Sequence, residues 1–160
     1  MTKPNCPHCG AAFTGLICDY CGALAGMTST AEEQRRALEE LHRLIANSPR
    51  EKQVLLIKNG YLPDDTAPLI DAGLKCVALM DDDEVKADRT DAAARRLDAV
   101  VIKLRLRPPD SEISRALQLF KERLEKNNKA KFWYGFMGFA IFGALALAII
   151  FLTWYIFRRQ

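Results

Sequence analysis

Apolar and polar residues divide this chain into three stretches. From about residue 31, apolar side chains recur at helical spacing among charged ones. Leu38, Leu41, Leu44 and Ile45 mark one face of a first helix, which the Thr28 to Thr30 run can cap and Asn47-Ser48-Pro49 ends. A brief helix over 50–58 carries Val54 to Ile57 and stops at Asn59-Gly60. Beyond Pro63, the capping cluster Asp64-Asp65-Thr66 opens a third helix with Leu69, Ile70, Leu74, Val77 and Ala78 as its apolar positions. Segment 84–107 keeps helical spacing through Ala93, Leu97, Val100, Val101 and Leu104. Its end, 102–107, alternates like a strand, but no partner strand is evident, so helix is expected. Pro108-Pro109 breaks the chain, and a last amphipathic helix follows with Ile113, Ala116, Leu117, Phe120 and Leu124 as its stripe.

The pattern changes at residue 132. Segment 132–157 is a run of 26 residues without a charge, longer than the threshold of about 18 for a membrane helix. Trp133 and Tyr134 at one end and Trp154 and Tyr155 at the other fit two interfacial aromatic belts. The two tryptophans are separated by about 32 Å of helix, against a hydrocarbon core of about 30 Å. Lys121, Arg123, Lys126, Lys129 and Lys131 precede the run and only Arg158 and Arg159 follow it, which places the N-terminal side in the cytoplasm. A tail anchor in the inner membrane is therefore expected, with the bilayer as partner. Gly135 is the first proline or glycine after Pro109, so the last amphipathic helix is expected to continue into the span as a rod of about 45 residues. Ala140, Ala144 and Ala148, with Gly143 beside them, offer a small-residue face for homo-oligomers or another span. Such residues are also common in any membrane helix.

The first 26 residues form the third regime. Their start lacks the apolar core of a secretory signal, so the thiols are expected to stay reduced. Cys6-Pro7-His8-Cys9-Gly10 and Cys18-Asp19-Tyr20-Cys21-Gly22 are each a knuckle: a tight turn aims two sulfurs at one point and glycine closes it. Eight residues separate Cys9 from Cys18, enough for a minimal hairpin with Gly15 at its bend and Phe13 with Leu16 or Ile17 as apolar cover. Two facing knuckles give tetrahedral four-sulfur coordination, which suits zinc and, less often, iron. His8 is expected to be a solvent-facing turn residue, since four cysteines complete the set. The unpaired Cys76 is expected to be a small buried residue, and Asp81-Asp82-Asp83-Glu84 a solvated turn.

At Cys6 to Gly22, including the Gly-Ala after each knuckle and the aromatic of Cys-Asp-Tyr-Cys, the chain resembles short zinc-ribbon modules at the N-termini of bacterial membrane-associated proteins. The resemblance implies Zn²⁺ as cofactor and Cys6, Cys9, Cys18 and Cys21 as ligands. The stretch from Ile57 to Asp64 is also similar to a segment that follows ribbons in other bacterial proteins; that likeness supports a ribbon-plus-helices unit and carries no activity.

Charge narrows the functions. The formal net charge is +3, and four thiolates with one Zn²⁺ lower it to about +1. Lys3 is the only lysine or arginine in the first 34 residues, so the ribbon lacks a cationic surface for phosphates and nucleic acid is not an expected partner. The histidines are His8 and His42, the latter on a charged helix face, and there is no phosphate loop or nucleophile motif, so no enzyme is expected. The expected fold is mostly α: a zinc ribbon over 1–26, a cytosolic helical bundle with a stalk helix over 27–131, and a single transmembrane tail anchor over 132–157. The expected function is a membrane-anchored adaptor or scaffold that docks a protein partner. The alternatives are an accessory subunit of a membrane complex and a membrane-tethered nucleic-acid-binding regulator.

Overall fold

Helical periodicity becomes five helices in the computed structural model, which describes residues 4–24, 30–81 and 87–158. They are α1 (Ala31–Ala46), α2 (Arg50–Asn59), α3 (Thr66–Asp81), α4 (Ala87–Arg105) and α5 (Ser111–Arg158). Thr30 supplies a complete capping box for α1: its hydroxyl accepts from the Glu33 N–H and the Glu33 carboxylate accepts from the Thr30 N–H. The other expected caps, Thr28 and Ser29, and the acidic residues Asp82, Asp83 and Glu84 lie outside the described residues. Asp110 caps α5, accepting from the Ile113 N–H at 2.7 Å. Residues 102–105 are helical as the end of α4, and a turn from Arg107 back to the Leu104 carbonyl closes it. The chain divides into two units, Met1–Leu124 and Glu125–Gln160.

In the first unit, α3 and α4 make the centre of the core. Leu69, Ala72, Cys76 and Met80 of α3 meet Ala93, Leu97, Val100 and Leu104 of α4, with Leu38, Ile57, Ile113 and Phe120 closing around them. Leu74, expected on the α3 face, is 46% exposed. The buried stripe runs instead through Ala72, Gly73 and Cys76, because the Phe120 ring is fully buried and lies where a side chain at position 73 would go. Glycine there lets an aromatic ring approach the helix backbone, and such a ring contributes about 1.5–3 kcal/mol on burial.

Arg96 shares the buried α4 stripe and is only 4% exposed. Its Nη1 donates to the carbonyls of Gly60 (2.8 Å) and Ile57 (3.3 Å), and its Nη2 to that of Tyr61 (2.5 Å). These carbonyls stand at or just past the end of α2, where intrahelical donors run out and the helix dipole is negative. The loop that follows is fixed from three more directions. Lys103 donates to the Leu62 carbonyl and pairs with Asp64 at 2.6 Å. The buried Gln34 side-chain oxygen accepts from the backbone N–H groups of Asp64 and Asp65. The Tyr61 N–H donates to the Gly22 carbonyl in the second knuckle, at 2.8 Å.

The expected C-terminal span requires correction. Among the described residues no helix is long and apolar enough to cross a membrane. This overturns the single transmembrane helix over 132–157 and, with it, the tail anchor and the single-pass inner-membrane localisation with a cytoplasmic N-terminus. The part of α5 before residue 131, where side chains are described in a continuous run, cannot supply a span either, because it is charged. Arg115, Lys121, Glu122, Arg123, Glu125, Lys126 and Lys129 interrupt the apolar stripe there. Trp133 is exposed. The side chains of the other expected interface residues, Tyr134, Trp154 and Tyr155, and of Ala140, Ala144 and Ala148, lie outside the described residues.

Two stability outcomes follow from this packing. Arg96→Met is expected to lower unfolding free energy by about 3–5 kcal/mol, because it strands buried carbonyls at the end of α2; Arg96→Lys recovers part of the loss. Gly73→Ala is expected to cost about 1–3 kcal/mol by forcing its methyl group into the Phe120 ring. Chemical denaturation followed by circular dichroism measures both, and wild-type midpoints would refute the respective assignments.

Candidate metal centre

The two knuckles fold alike, with a period of twelve residues. The Cys6 N–H donates to the Ala11 carbonyl and the Gly10 N–H to the Cys6 carbonyl; Cys18, Ala23 and Gly22 repeat both bonds. A backbone bridge flanks each turn, Asn5 with Ala12 and Ile17 with Leu24. Gly10 and Gly22 take φ values of 76° and 73°, left-handed conformations that glycine adopts without a Cβ penalty. At Gly22 space is also short: a Cβ would meet Leu41 and Leu56 at 3.0–3.1 Å. At Gly10 nothing lies within 4 Å. The second knuckle is therefore seated on the helices and the first is free of them.

The four sulfurs converge. Cys6 and Cys21 Sγ are 3.8 Å apart, Cys9 and Cys18 Sγ are 3.7 Å apart, and all four lie within 4.8 Å of one another. A tetrahedron with metal–sulfur bonds of about 2.3 Å has edges of about 3.8 Å. A disulfide would need about 2.05 Å, and all four cysteines are free. The cluster can thus hold a metal ion. Cys6 and Cys18 are buried, Cys21 is half-buried and Cys9 is exposed.

The protonation of the thiols shows the same convergence. The His8 N–H is the main group that pulls the Cys6 thiol down to about 7; the Cys9 N–H and the sulfurs of Cys18 and Cys21 help, and burial opposes them. At Cys9 the Ala11 N–H favours the thiolate, but burial and the sulfurs of Cys18 and Cys6 outweigh it and raise the thiol above its ordinary value. Burial, opposed by the Ala23 N–H and reinforced by the neighbouring sulfurs, pushes Cys21 up to about 12. Sulfurs this close compete for one set of donors, and a bound cation removes the competition by favouring every thiolate at once. His8 is exposed and outside the four-sulfur cluster.

A small apolar interface joins this centre to the helices. Phe13 and Ala23 cover the knuckles themselves. Ile17, 1% exposed, packs with Ala37 and Leu41 of α1 and Leu56 of α2, with Leu16, Leu24 and Tyr61 at the margin. Both expected cover residues are used, and they face different partners: Phe13 covers the sulfurs and Ile17 docks the ribbon. The Leu16 N–H adds a bond, donating to the Glu40 carboxylate at 3.4 Å.

Sequence reasoning missed three residues that position the centre. Arg96, Gln34 and Tyr61 hold the loop on which Gly22 rests. A signal for Arg96 was present: it sits three and four residues from Ala93, Ala92 and Val100, on the apolar stripe. His42, expected on a charged helix face, is half-buried among Arg35, Glu39, Asp71 and Lys75. Burial, then the charges of Arg96 and Lys75, push its imidazole down to about 4, so it is neutral at pH 7. Cys76 is buried as expected, and burial pushes its thiol up to about 11 against the opposing charge of Arg96.

Removing the metal with a strong chelator is expected to open the ribbon and bare Ile17, Leu41 and Leu56. Amide hydrogen exchange should then accelerate around residues 5–24 and 37–41, while the α3–α4 core keeps its protection. An unchanged exchange pattern in metal-free protein would refute the coupling. No protein-family model, curated protein or solved structure matches this chain, so the metal centre rests on its own geometry.

Proposed function

We propose that this chain is a zinc-stabilised docking module, in which the helices hold the ribbon and the first knuckle is presented to a protein partner. Zinc is the metal of this reading because four cysteine ligands at tetrahedral spacing, in a chain with few other ribbon core residues, match a closed structural site. The observation that carries the docking role is the asymmetry of the two knuckles. Gly22 is packed against Leu41 and Leu56, whereas Pro7, His8, Cys9 and Gly10 of the first knuckle are exposed. A rigid turn that exposes a proline and a histidine is a compact anchor of the kind that protein interfaces use.

The ion makes that surface rigid at a low conformational cost, since the knuckle backbone is already fixed before a partner arrives. The ribbon offers no lysine or arginine among residues 4–24, which favours a protein over a nucleic acid. Fixing the second knuckle on α1 and α2 leaves the exposed one at a defined orientation to the helical unit.

Two measurements test the reading. The purified chain is expected to carry one zinc per molecule by native mass spectrometry. A photo-crosslinking residue at His8 should capture the same protein in repeated cell experiments, and Cys9→Ser should abolish that capture. A crosslinker on the exposed face at Lys58 should not give that adduct. Equal capture from both positions, or capture that survives loss of the metal, would refute the docking role.

A further inference from the structure

Apart from the metal centre, the helical unit carries a groove of about 450 Å³ bordered by α1, α2, α3 and α4. That volume falls within the range of about 300–1,000 Å³ typical of small-molecule sites. Ile45, Ile57, Ala78 and Leu79 form an apolar wall, and His42, Lys75, Gln53 and Arg89 supply the polar groups. Among the described residues no carboxylate lines it, although the chain contains 20 aspartates and glutamates.

The cations are left available. Gln53 is held at both ends: its Nε2 donates to the Ser48 carbonyl at 2.9 Å and its Oε1 accepts from Arg89 Nη1 at 3.0 Å. It therefore positions the Arg89 guanidinium without neutralising it. Arg89 Nε is buried and lacks a hydrogen-bond partner. The neighbouring Asp88 side chain is paired with Arg50 at 2.8 Å. Among the described residues Lys75 forms no ion pair. Two unneutralised cations beside an apolar wall make a site that favours a negative head on an apolar body.

We propose that this groove binds a small amphipathic carboxylate, with its acid group at Lys75 and Arg89 and its aliphatic part against Ile45, Ile57, Ala78 and Leu79. A second cavity of about 410 Å³ shares His42 and Lys75 but is also lined by Glu39 and Asp71. Those carboxylates repel an anion and direct it into the first groove. His42 contributes a neutral imidazole at the junction of the two cavities, where it can donate one hydrogen bond to a carboxylate oxygen without adding charge. The site stands apart from the ribbon and is independent of the docking role.

The experiment is a titration of the full, metal-loaded chain with octanoate, followed through the imidazole resonances of its two histidines. His42 lines the groove and His8 sits exposed in the first knuckle, so the second serves as an internal reference. The expected result is a saturable shift of His42 alone. Octanol should bind at least about ten-fold more weakly, and Lys75→Glu should weaken octanoate by a similar factor. Ala78→Trp, at an exposed wall position, should abolish the shift. Inorganic phosphate should fail to reproduce it. The proposal is overturned if His42 does not saturate, if octanol matches octanoate, if phosphate does as well, or if both folded variants bind like the wild type. Lys75→Gln provides the charge test should Lys75→Glu fail to fold.

Discussion

A single buried guanidinium ties the parts of this molecule together. Arg96 enters the core on α4 and turns its donors toward the end of α2, where three carbonyls accept them. Its desolvation lowers its proton affinity, with Cys76 opposing, but an arginine starts so far above neutral that it remains charged. Among the described residues no carboxylate pairs with it. The negative end of the α2 dipole does so instead, with the added benefit that otherwise unpaired carbonyls are satisfied. Because Tyr61 accepts from Arg96 through its carbonyl and donates to Gly22 through its N–H, the same residue transmits this order to the ribbon.

The ribbon needs that support. With two knuckles and a handful of apolar residues it buries too little surface to fold alone, and small domains of this kind depend on a metal or a partner. Here both are present in principle: the sulfurs are placed for an ion, and Ile17 sits in a pocket made by Ala37, Leu41 and Leu56. Helix α1 consequently serves two interfaces. Leu38 faces the main core, while Ala37 and Leu41 face the ribbon. The stretch from Ile57 to Asp64, which sequence likeness associated with ribbons, is the segment that Arg96, Lys103, Gln34 and Gly22 all hold. That loop is where ribbon and helices are joined.

Departures from the sequence reading have distinct causes. Leu74 is exposed because Phe120 claims the neighbouring face at Gly73, a contact between residues far apart in the chain. His42 was assigned to a charged face by its neighbours in sequence, but Lys75 on α3 and Arg96 on α4 define its surroundings. The span over 132–157 rested on hydropathy, whereas the described residues contain no helix of the required length and apolarity. The long helix itself extends to Arg158, so the helical state of that segment was legible even though the membrane role is not upheld.

By itself the sequence determined what depends on near neighbours. Helical periodicity fixed the elements, Thr30 and Glu33 capped the first of them, and two Cys-x-x-Cys-Gly turns set four sulfurs at a spacing that suits one ion. Each of these is decided within a few residues by backbone geometry, so local pattern is enough to read it. The tertiary structure alone decided which knuckle is buried, which apolar residues are left exposed, and where the buried polar groups find partners. Arg96 reaches carbonyls 35 to 39 positions away and Gln34 reaches amides 30 and 31 positions away. Nothing in their immediate sequence encodes those partners. Buried polar groups must be satisfied somewhere, and only the packed helices show where.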